Sequence, residues 1–409
     1  MTPTARRLSW VLVGAGGAAF VLLAWWLVPW DPVPGGPVEP VRAEDYFSAA
    51  HLARAEEYSR WARVLSYSSL AVSLAVACYL GLSRRGRAWA RRAPGPWWVQ
   101  VVVLVAAVEL ARRLVTLPFG IAFEQRRRDY GLSTRSWAGY AADLVRNEVL
   151  GIVVASIALL VVVGLARWLP RAWPAVAGLL VAALVVLGSF VYPVVVEPAF
   201  NSFEPLADGP LRQGIEELAD AEGVEIGDVL VADASRRTST LNAYVSGFGA
   251  SRRVVLYDTL VEDLPVDQAL SVVAHELAHA KHDDVAVGTV LGAASAVAGV
   301  GLLALCLGWF GRRGWPAVGE AAVAPLALAL FAVGGFLASP VQNGISRQVE
   351  TRADVDALRV TQDPDAFVGL QVRLAEKSLA DPTPPALAHW WFGSHPDVLK
   401  RLGLLVVSG

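Results

Sequence analysis

Long apolar runs separated by short polar segments dominate the chain. Six runs are long enough to cross about 30 Å of hydrocarbon as helices. They predict membrane spans at residues 10–28, 64–82, 149–166, 172–196, 285–311 and 321–346. A seventh run, 94–117, contains Glu109, Arg112 and Arg113. Charges inside a span usually face a protein interior or a water-filled cavity, although the end of a short span could also extend its charges to the interface.

These runs divide the chain into four predicted parts. Residues 1–196 hold five spans with an amphipathic segment near 118–147, and 285–346 hold spans six and seven. Residues 347–409 form a C-terminal helical part. The polar segment 197–284 predicts a small soluble α+β domain.

Turn residues and periodicity predict the elements of this soluble segment. They indicate a helix over 211–222, a strand over 229–232 and a hairpin over 243–257 that turns near its glycines. Asp267 is the expected N-cap of the helix that follows.

Composition agrees with a polytopic membrane protein, because 55% of the residues are hydrophobic and only 18% are charged. The formal charge of -2 gives no sign of a nucleic-acid partner. Cys78 and Cys306 both lie in apolar runs, so neither a disulfide nor a cysteine metal site is indicated.

Arginine supplies most of the basic residues, which suggests a GC-rich bacterial genome. In a bacterium, a protein with these spans would lie in the cell membrane. The first span reads as an uncleaved anchor, since no small-residue cleavage pattern follows it.

The most specific motif is His275-Glu276-Leu277-Ala278-His279. On a helix this spacing places two imidazoles one turn apart on one face, with a carboxylate beside them, as in zinc peptidases. The surrounding residues are apolar, and a buried helix with two histidines and a glutamate is costly unless these side chains have partners. His282 follows closely, but we interpret it as a polar neighbour.

A catalytic zinc needs a third protein ligand, and Glu350 is the best candidate. After the motif the chain crosses the membrane in one span, turns near residues 311–314 and crosses back in the next span. Glu350 therefore returns to the side of the membrane that carries His275 and His279. Asp354, one helical turn beyond Glu350, could accept a hydrogen bond from a ligand imidazole. Taken alone, this Glu-x-x-x-Asp pattern would suggest only a solvated helix face.

Several motifs together resemble the type I CAAX prenyl proteases, the a-factor-converting family of membrane zinc metalloproteases. The motif His275–His279 is one of them. The others are Leu117-Pro118-Phe119, Glu124 to Ser133, Glu197 to Leu206, Arg236 to Ser239, Asn242-Ala243-Tyr244, Val255 to Leu260, Ser346 to Asp354, Ser394-His395-Pro396 and Arg401-Leu402. The resemblance implies seven transmembrane helices around a water-filled chamber, capped by the zinc domain. Glu109, Arg112 and Arg113 would then face that chamber.

The resemblance also implies the chemistry of the site. One zinc ion per chain would be held by His275, His279 and Glu350. Glu276 would act as the general base and later protonate the leaving amine.

Substrate contacts follow from the same resemblance. The peptide would lie extended along the strand near Asn242 and Ala243. Either His395 or Arg401 would stabilise the oxyanion or hold a substrate carboxylate, the alternative being a structural turn with a salt-bridged arginine.

Three functions are consistent with the sequence. The first is a membrane zinc endopeptidase that cleaves lipidated or short peptides. The second is a quality-control protease of the same fold with no prenyl requirement, which a bacterial origin would favour. The third is a non-catalytic chamber protein that binds lipid or peptide. The oligomeric state stays open.

The orientation in the membrane also stays open. Clusters at Arg6, Arg84–Arg92, Arg167 and Arg312 fall on one side if all seven spans exist. The positive-inside rule would make that side cytoplasmic and would place the zinc domain, which lies on the opposite side, outside the cell. The resemblance instead places catalysis on the cytoplasmic side.

Overall fold

The computed structural model describes residues 1–191, 197, 201–247, 249 and 252–405. The end of the predicted fifth span, 192–196, lies outside the described residues. So do 248, 250 and 251 at the predicted hairpin turn, and 406–409 at the end of the chain.

Long helices make up most of the described chain. Six of the described helices are long and apolar enough to cross a membrane. They are α1 (Pro3–Leu27), α2 (Ala49–Leu82), α5 (Trp137–Trp168), α6 (Trp173–Val191), α10 (Asp284–Arg312) and α11 (Ala324–Thr361). The short α3 (Arg84–Ala90) precedes the equally long but more charged α4 (Trp97–Asp129). The chain is therefore a mostly helical polytopic membrane protein, and whether α4 is a seventh span stays a prediction.

Six of the described long helices form a closed ring. Each packs against the next in the order α2, α4, α5, α6, α10 and α11, and α11 packs back on α2. Helix α1 packs on α10 and α6. A Cβ added at Gly16 would lie 2.7 Å from the backbone nitrogen of Ala298, and one at Gly301 2.7 Å from the carbonyl oxygen of Ser9. Small residues at these positions let α1 and α10 approach closely, as is common between membrane helices.

A hydrophobic core closes the ring at one end. It is formed where α4 and α11 begin and α5 and α10 end, and it contains the fully buried side chains of Val101, Leu104, Val105, Leu307 and Leu326. This end of the bundle is therefore packed with side chains.

The charges that interrupt α4 pair with one another and with neighbouring helices. Arg112 Nη1 donates to Glu109 at 3.0 Å, and its Nε donates to Ser73 on α2 at 3.0 Å. Arg113 Nε donates to Glu148 on α5 at 2.7 Å. These contacts satisfy the charges locally and hold α4 between α2 and α5, which explains how a charged helix can stand in the ring.

The segment after α6 forms a four-stranded sheet in the described chain. Its strands are β1 (Phe203–Pro205), β2 (Asp228–Ala232), β3 (Ala243–Ser246) and β4 (Arg253–Tyr257), in the order β1-β2-β4-β3. Strands β2 and β4 are parallel, and the other two pairs are antiparallel. Strand β1 has no counterpart in the sequence prediction, because three residues are too few for a periodic signal.

Three helices complete this region: α7 (Pro210–Glu222), α8 (Asp258–Asp263) and α9 (Val266–Lys281). Ile215, Leu256 and Leu277 pack together in its core. The predicted cap of α9 is wrong. Pro265 occupies the N-cap position and Asp267 falls within the first turn, since a proline just before a helix already fixes a suitable φ.

The C-terminal part returns to the soluble region. Helix α11 continues well past the apolar run, and α12 (Pro364–Ser378), α13 (Ala386–Phe392) and α14 (Val398–Gly403) follow. Leu370 of α12 joins the core around Leu277, so α12 packs against α9. Helix α9 is thereby held between the sheet side and the C-terminal helices.

Candidate active site

Helix α9 carries the two motif histidines on one face. Ala274, Leu277 and Ala278 are fully buried and fix this helix in the core, while the imidazoles are only partly buried. The rings lie edge to face with centroids 4.8 Å apart, and the Nε2 atoms of His275 and His279 are 3.2 Å apart. The four-residue spacing therefore directs both Nε2 atoms to one point.

Helix α11 brings Glu350 to the same point. Its Oε2 lies 3.2 Å from His275 Nε2, and its Oε1 lies 3.8 Å from His279 Nε2. One ligand atom from each of the three side chains lies within 4.8 Å of the others. Residues 75 positions apart thus meet because α10 and α11 cross the membrane in opposite directions.

The donor set fits a divalent cation. Both Nδ1 atoms face carboxylates and therefore carry the ring protons, which leaves both Nε2 lone pairs directed at each other and at Glu350. Tetrahedral coordination with bonds of about 2.0 Å spaces ligand nitrogens by about 3.3 Å, close to the separation observed here. Without a bound cation, burial disfavours the imidazolium of His275, yet its hydrogen bonds to Asp354 and Glu350 outweigh this and raise its pKa to about 10, and a cation would take the place of the Nε2 proton. The site therefore favours positive charge.

Asp354 and Arg401 support His275. Asp354 is fully buried, and its Oδ1 accepts from His275 Nδ1 at 2.9 Å. Arg401 donates to both oxygens of this carboxylate, from Nε at 2.8 Å and from Nη2 at 2.6 Å. This bidentate pair keeps the aspartate ionised and fixes the imidazole ring.

An equivalent pair supports His279. Asp284 Oδ2 accepts from His279 Nδ1 at 2.9 Å, and Asp284 Oδ1 accepts from Arg352. The sequence interpretation missed both residues. The signal that could have found them is an acidic residue at the start of a helix, five positions after the second histidine.

Glu276 lies beside the histidines on α9 and is partly buried. Burial raises the pKa of its carboxyl, and the negative charge of Glu350 adds to the increase, whereas His275 and His279 oppose it. A carboxylate with a raised pKa is a better proton acceptor at neutral pH.

His395 and Arg401, the two candidates for oxyanion contacts, differ in their surroundings. His395 Nε2 lies 3.4 Å from Glu350 Oε2, and its side chain is 60% exposed. Arg401 is only 16% exposed and donates to Asp354 through two nitrogens.

His282 contacts a different carboxylate. Its Nε2 lies 2.6 Å from Asp356 Oδ2, consistent with its interpretation as a polar neighbour.

The strand near Asn242 and Ala243 is an edge of the sheet. Strand β3 pairs with β4 on one side, and α9 packs beside it. Tyr257 donates its backbone N–H to the carbonyl of Asn242 at 3.0 Å. Since antiparallel pairs alternate, the backbone groups of Ala243 and Val245 point away from β4. This edge can accept an extended peptide close to the histidines.

Two family models match nearly the whole chain. The model for "CAAX prenyl protease N-terminal, five membrane helices" matches residues 38–202, and the model for "Peptidase family M48" matches residues 205–406. The boundary between the two falls close to the start of the sheet.

Known proteins agree with these matches. An uncharacterized metalloprotease of Bacillus subtilis, YhfN, is 29% identical over 95% of this chain and 95% of its own length. The CAAX prenyl protease 1 homolog of Caenorhabditis elegans is 25% identical over 74% of this chain and 76% of its own. The crystal structure of S. mikatae Ste24p shares the fold, with a TM-score of 0.76 and 20% identity over 97% of this chain and 99% of that one.

The family models and the shared fold confirm the interpretation as an enzyme over that of a non-catalytic chamber protein. This chain belongs to the CAAX prenyl protease family of M48 peptidases and is a multi-pass membrane metalloprotease.

Proposed function

We propose that the chain is a zinc endopeptidase whose metal ligands are His275, His279 and Glu350. The convergence of these three side chains within 4.8 Å, with Glu276 beside them, is the observation that carries the proposal. Two imidazoles and one carboxylate are a typical ligand set of catalytic zinc, which keeps a fourth position open. Zinc in such a site supplies Lewis acidity, which polarises a peptide carbonyl and acidifies water.

Glu276 handles the protons of the reaction. It accepts a proton from the attacking water and later donates it to the amine of the leaving peptide. Its partly buried position supports this role, because the raised pKa brings the carboxyl closer to neutral pH.

Four residues position the ligands. Asp354 with Arg401 orients His275, and Asp284 with Arg352 orients His279. Because Arg401 is committed to Asp354, we assign the contact with the oxyanion or with a substrate carboxylate to the more exposed His395.

The substrate binds as an added strand on β3. The outward backbone groups of Ala243 and Val245 would pair with the peptide, and the neighbouring Asn242 would contact its side chains. The closeness of this edge to α9 supports the assignment, since an extended peptide there passes the histidines.

The substrate class is a membrane-associated peptide, lipidated or short. It reaches the site from the interior of the helix ring, which seven transmembrane helices including α1 build and residues 197–284 cap. The relatives named as CAAX prenyl proteases and the ring of helices support this class. A quality-control protease without a prenyl requirement is the alternative, and the similarity to a bacterial metalloprotease over nearly the whole chain favours it. Matched peptides with and without a prenyl group separate the two, since equal cleavage would exclude the prenyl requirement.

The central test is Glu276→Gln in the purified full-length protein. We expect peptide cleavage to fall by about 100-fold or more, because the proton acceptor is lost, while bound zinc stays near one per chain. Cleavage is measured with a quenched fluorescent peptide and zinc by elemental mass spectrometry. Glu262→Gln, an exposed position on α8, is the matched control. Unchanged turnover in Glu276→Gln would exclude this mechanism.

A further inference from the structure

The closed end of the ring carries a dense group of arginines, which we call the arginine end. Within the described residues, ten of the eleven are exposed, and Arg87 is partly buried. The group consists of Arg6, Arg7, Arg84, Arg85, Arg87, Arg91, Arg92, Arg167, Arg171, Arg312 and Arg313.

Hydrogen bonds between the connecting segments bring these arginines together. Arg87 Nη1 donates to the carbonyl of Gly314 at 2.9 Å, and Arg167 Nη1 donates to that of Gly319 at 3.0 Å. Thr2 donates to the carbonyl of Pro170 at 3.2 Å. The N-terminus and three connections of the bundle therefore form one continuous surface.

This surface has almost no acidic residue to balance it. In segments 1–9, 83–96, 167–172 and 312–323, the single carboxylate is Glu320, which accepts a hydrogen bond from the backbone of Ala317. None of the eleven arginines forms an ion pair with a carboxylate in the part of the chain that the structure describes. Most of these guanidinium groups are therefore available to anions from outside the protein.

Tryptophans fix the depth of this surface in the membrane. Arg313 lies 3.6 Å from the ring centroid of Trp309, and Arg167 lies 5.4 Å from that of Trp97. Trp168 is 72% exposed. Tryptophan side chains prefer the headgroup level of a bilayer, so the neighbouring guanidinium groups stand at the depth of the lipid phosphates.

We propose that the arginine end binds the headgroups of anionic phospholipids. Guanidinium groups bind phosphate oxygens through paired hydrogen bonds, and each basic residue near an anionic membrane surface adds to the attraction. The tryptophans at this level make lipid the occupant, rather than a soluble anion. The proposal concerns the end opposite the metal site and does not depend on the peptidase chemistry.

Native mass spectrometry of the purified full-length protein in neutral detergent tests this proposal. Phosphatidylglycerol and phosphatidylcholine of equal chain length are titrated in turn. The test variant is R84Q/R85Q/R92Q, which avoids Arg87 and Arg91, the two arginines hydrogen-bonded to Gly314. The control R42Q/R60Q/R236Q removes the same charge from exposed positions outside this surface.

We expect wild type to bind phosphatidylglycerol more tightly than phosphatidylcholine, and the test variant to lose about tenfold in affinity for phosphatidylglycerol. The control should stay within about twofold, and added salt should weaken binding. Peptide cleavage by the test variant at the wild-type rate shows that it is folded. Equal binding of both lipids, equal losses in both variants, or full competition by inorganic phosphate would each overturn the proposal.

Discussion

The two ends of the ring use the same residue type in opposite ways. At the proposed metal site, Arg401 and Arg352 are each paired with an aspartate that contacts a motif histidine. At the arginine end, eleven arginines have no carboxylate partner among the described residues. The charges at the metal site are balanced within the protein, whereas those at the arginine end are left to solvent or to a partner outside the protein.

This difference follows from burial. A buried guanidinium loses its hydration and is tolerated only with a well-placed counter-charge, whereas an exposed one keeps its water. Arg401 is 16% exposed and Asp354 is fully buried, so that pair is costly to break. Arg84 and Arg85 are exposed and can be exchanged at little cost to folding. Three experiments test this contrast.

The largest effect is expected from Asp354→Asn. The change leaves Arg401 buried without its counter-charge and His275 without its acceptor. We expect a loss of about 3–5 kcal/mol in the free energy of unfolding and a zinc affinity that is lower by about 100-fold. Thermal denaturation in detergent and competition with a zinc chelator measure the two effects. Asp220→Asn, on the exposed face of α7, should change neither quantity. A stable, fully zinc-loaded Asp354→Asn protein would remove the distinction between the two ends.

A smaller effect is expected from Asp284→Asn, because Asp284 and Arg352 lie nearer the surface, with side chains 10% and 18% exposed. We expect zinc affinity to fall by about tenfold. The double variant with Arg352→Gln should lose much less than the sum of the single losses, since both changes break one pair. Additive losses would show that Arg352 does not act through Asp284.

The smallest effect is expected from Arg84→Gln with Arg85→Gln. The melting temperature in neutral detergent should stay within about 2 °C of wild type, because no internal partner is lost. Peptide cleavage should also be unchanged. A marked loss of stability in lipid-free detergent would mean that these arginines have partners within the protein, and the contrast would fail.

The sequence was most informative where chemistry demands a fixed spacing. His275 and His279 could be placed on one helix face from their separation alone. Counting membrane crossings predicted that Glu350 returns to them, and the structure brings the three ligand atoms together. Helix α7 and the β3–β4 hairpin were similarly predictable from local periodicity.

Other features depend on tertiary contacts that a single sequence does not encode locally. The contact of Asp284 with His279 was not predicted, because an acidic residue at the start of a helix does not by itself show which side chain it faces. Arg401 was considered for the oxyanion, and its pairing with Asp354 requires the C-terminal helices to fold back on α11. The order of helices in the ring, with α4 next to α2 and α5, likewise follows from packing rather than from hydropathy.

The two helices that lead away from and back to the candidate site pack mostly on different neighbours. Helix α10 packs mostly on α1 and α6 and α11 mostly on α2, whereas α9, which carries His275 and His279, packs on α11. A bilayer thinner than the apolar length of these helices is accommodated by tilt. Different tilts of α10 and α11 would shift Glu350 relative to His275 and His279. We therefore expect the acyl-chain length of the surrounding membrane to influence the geometry of the proposed metal site.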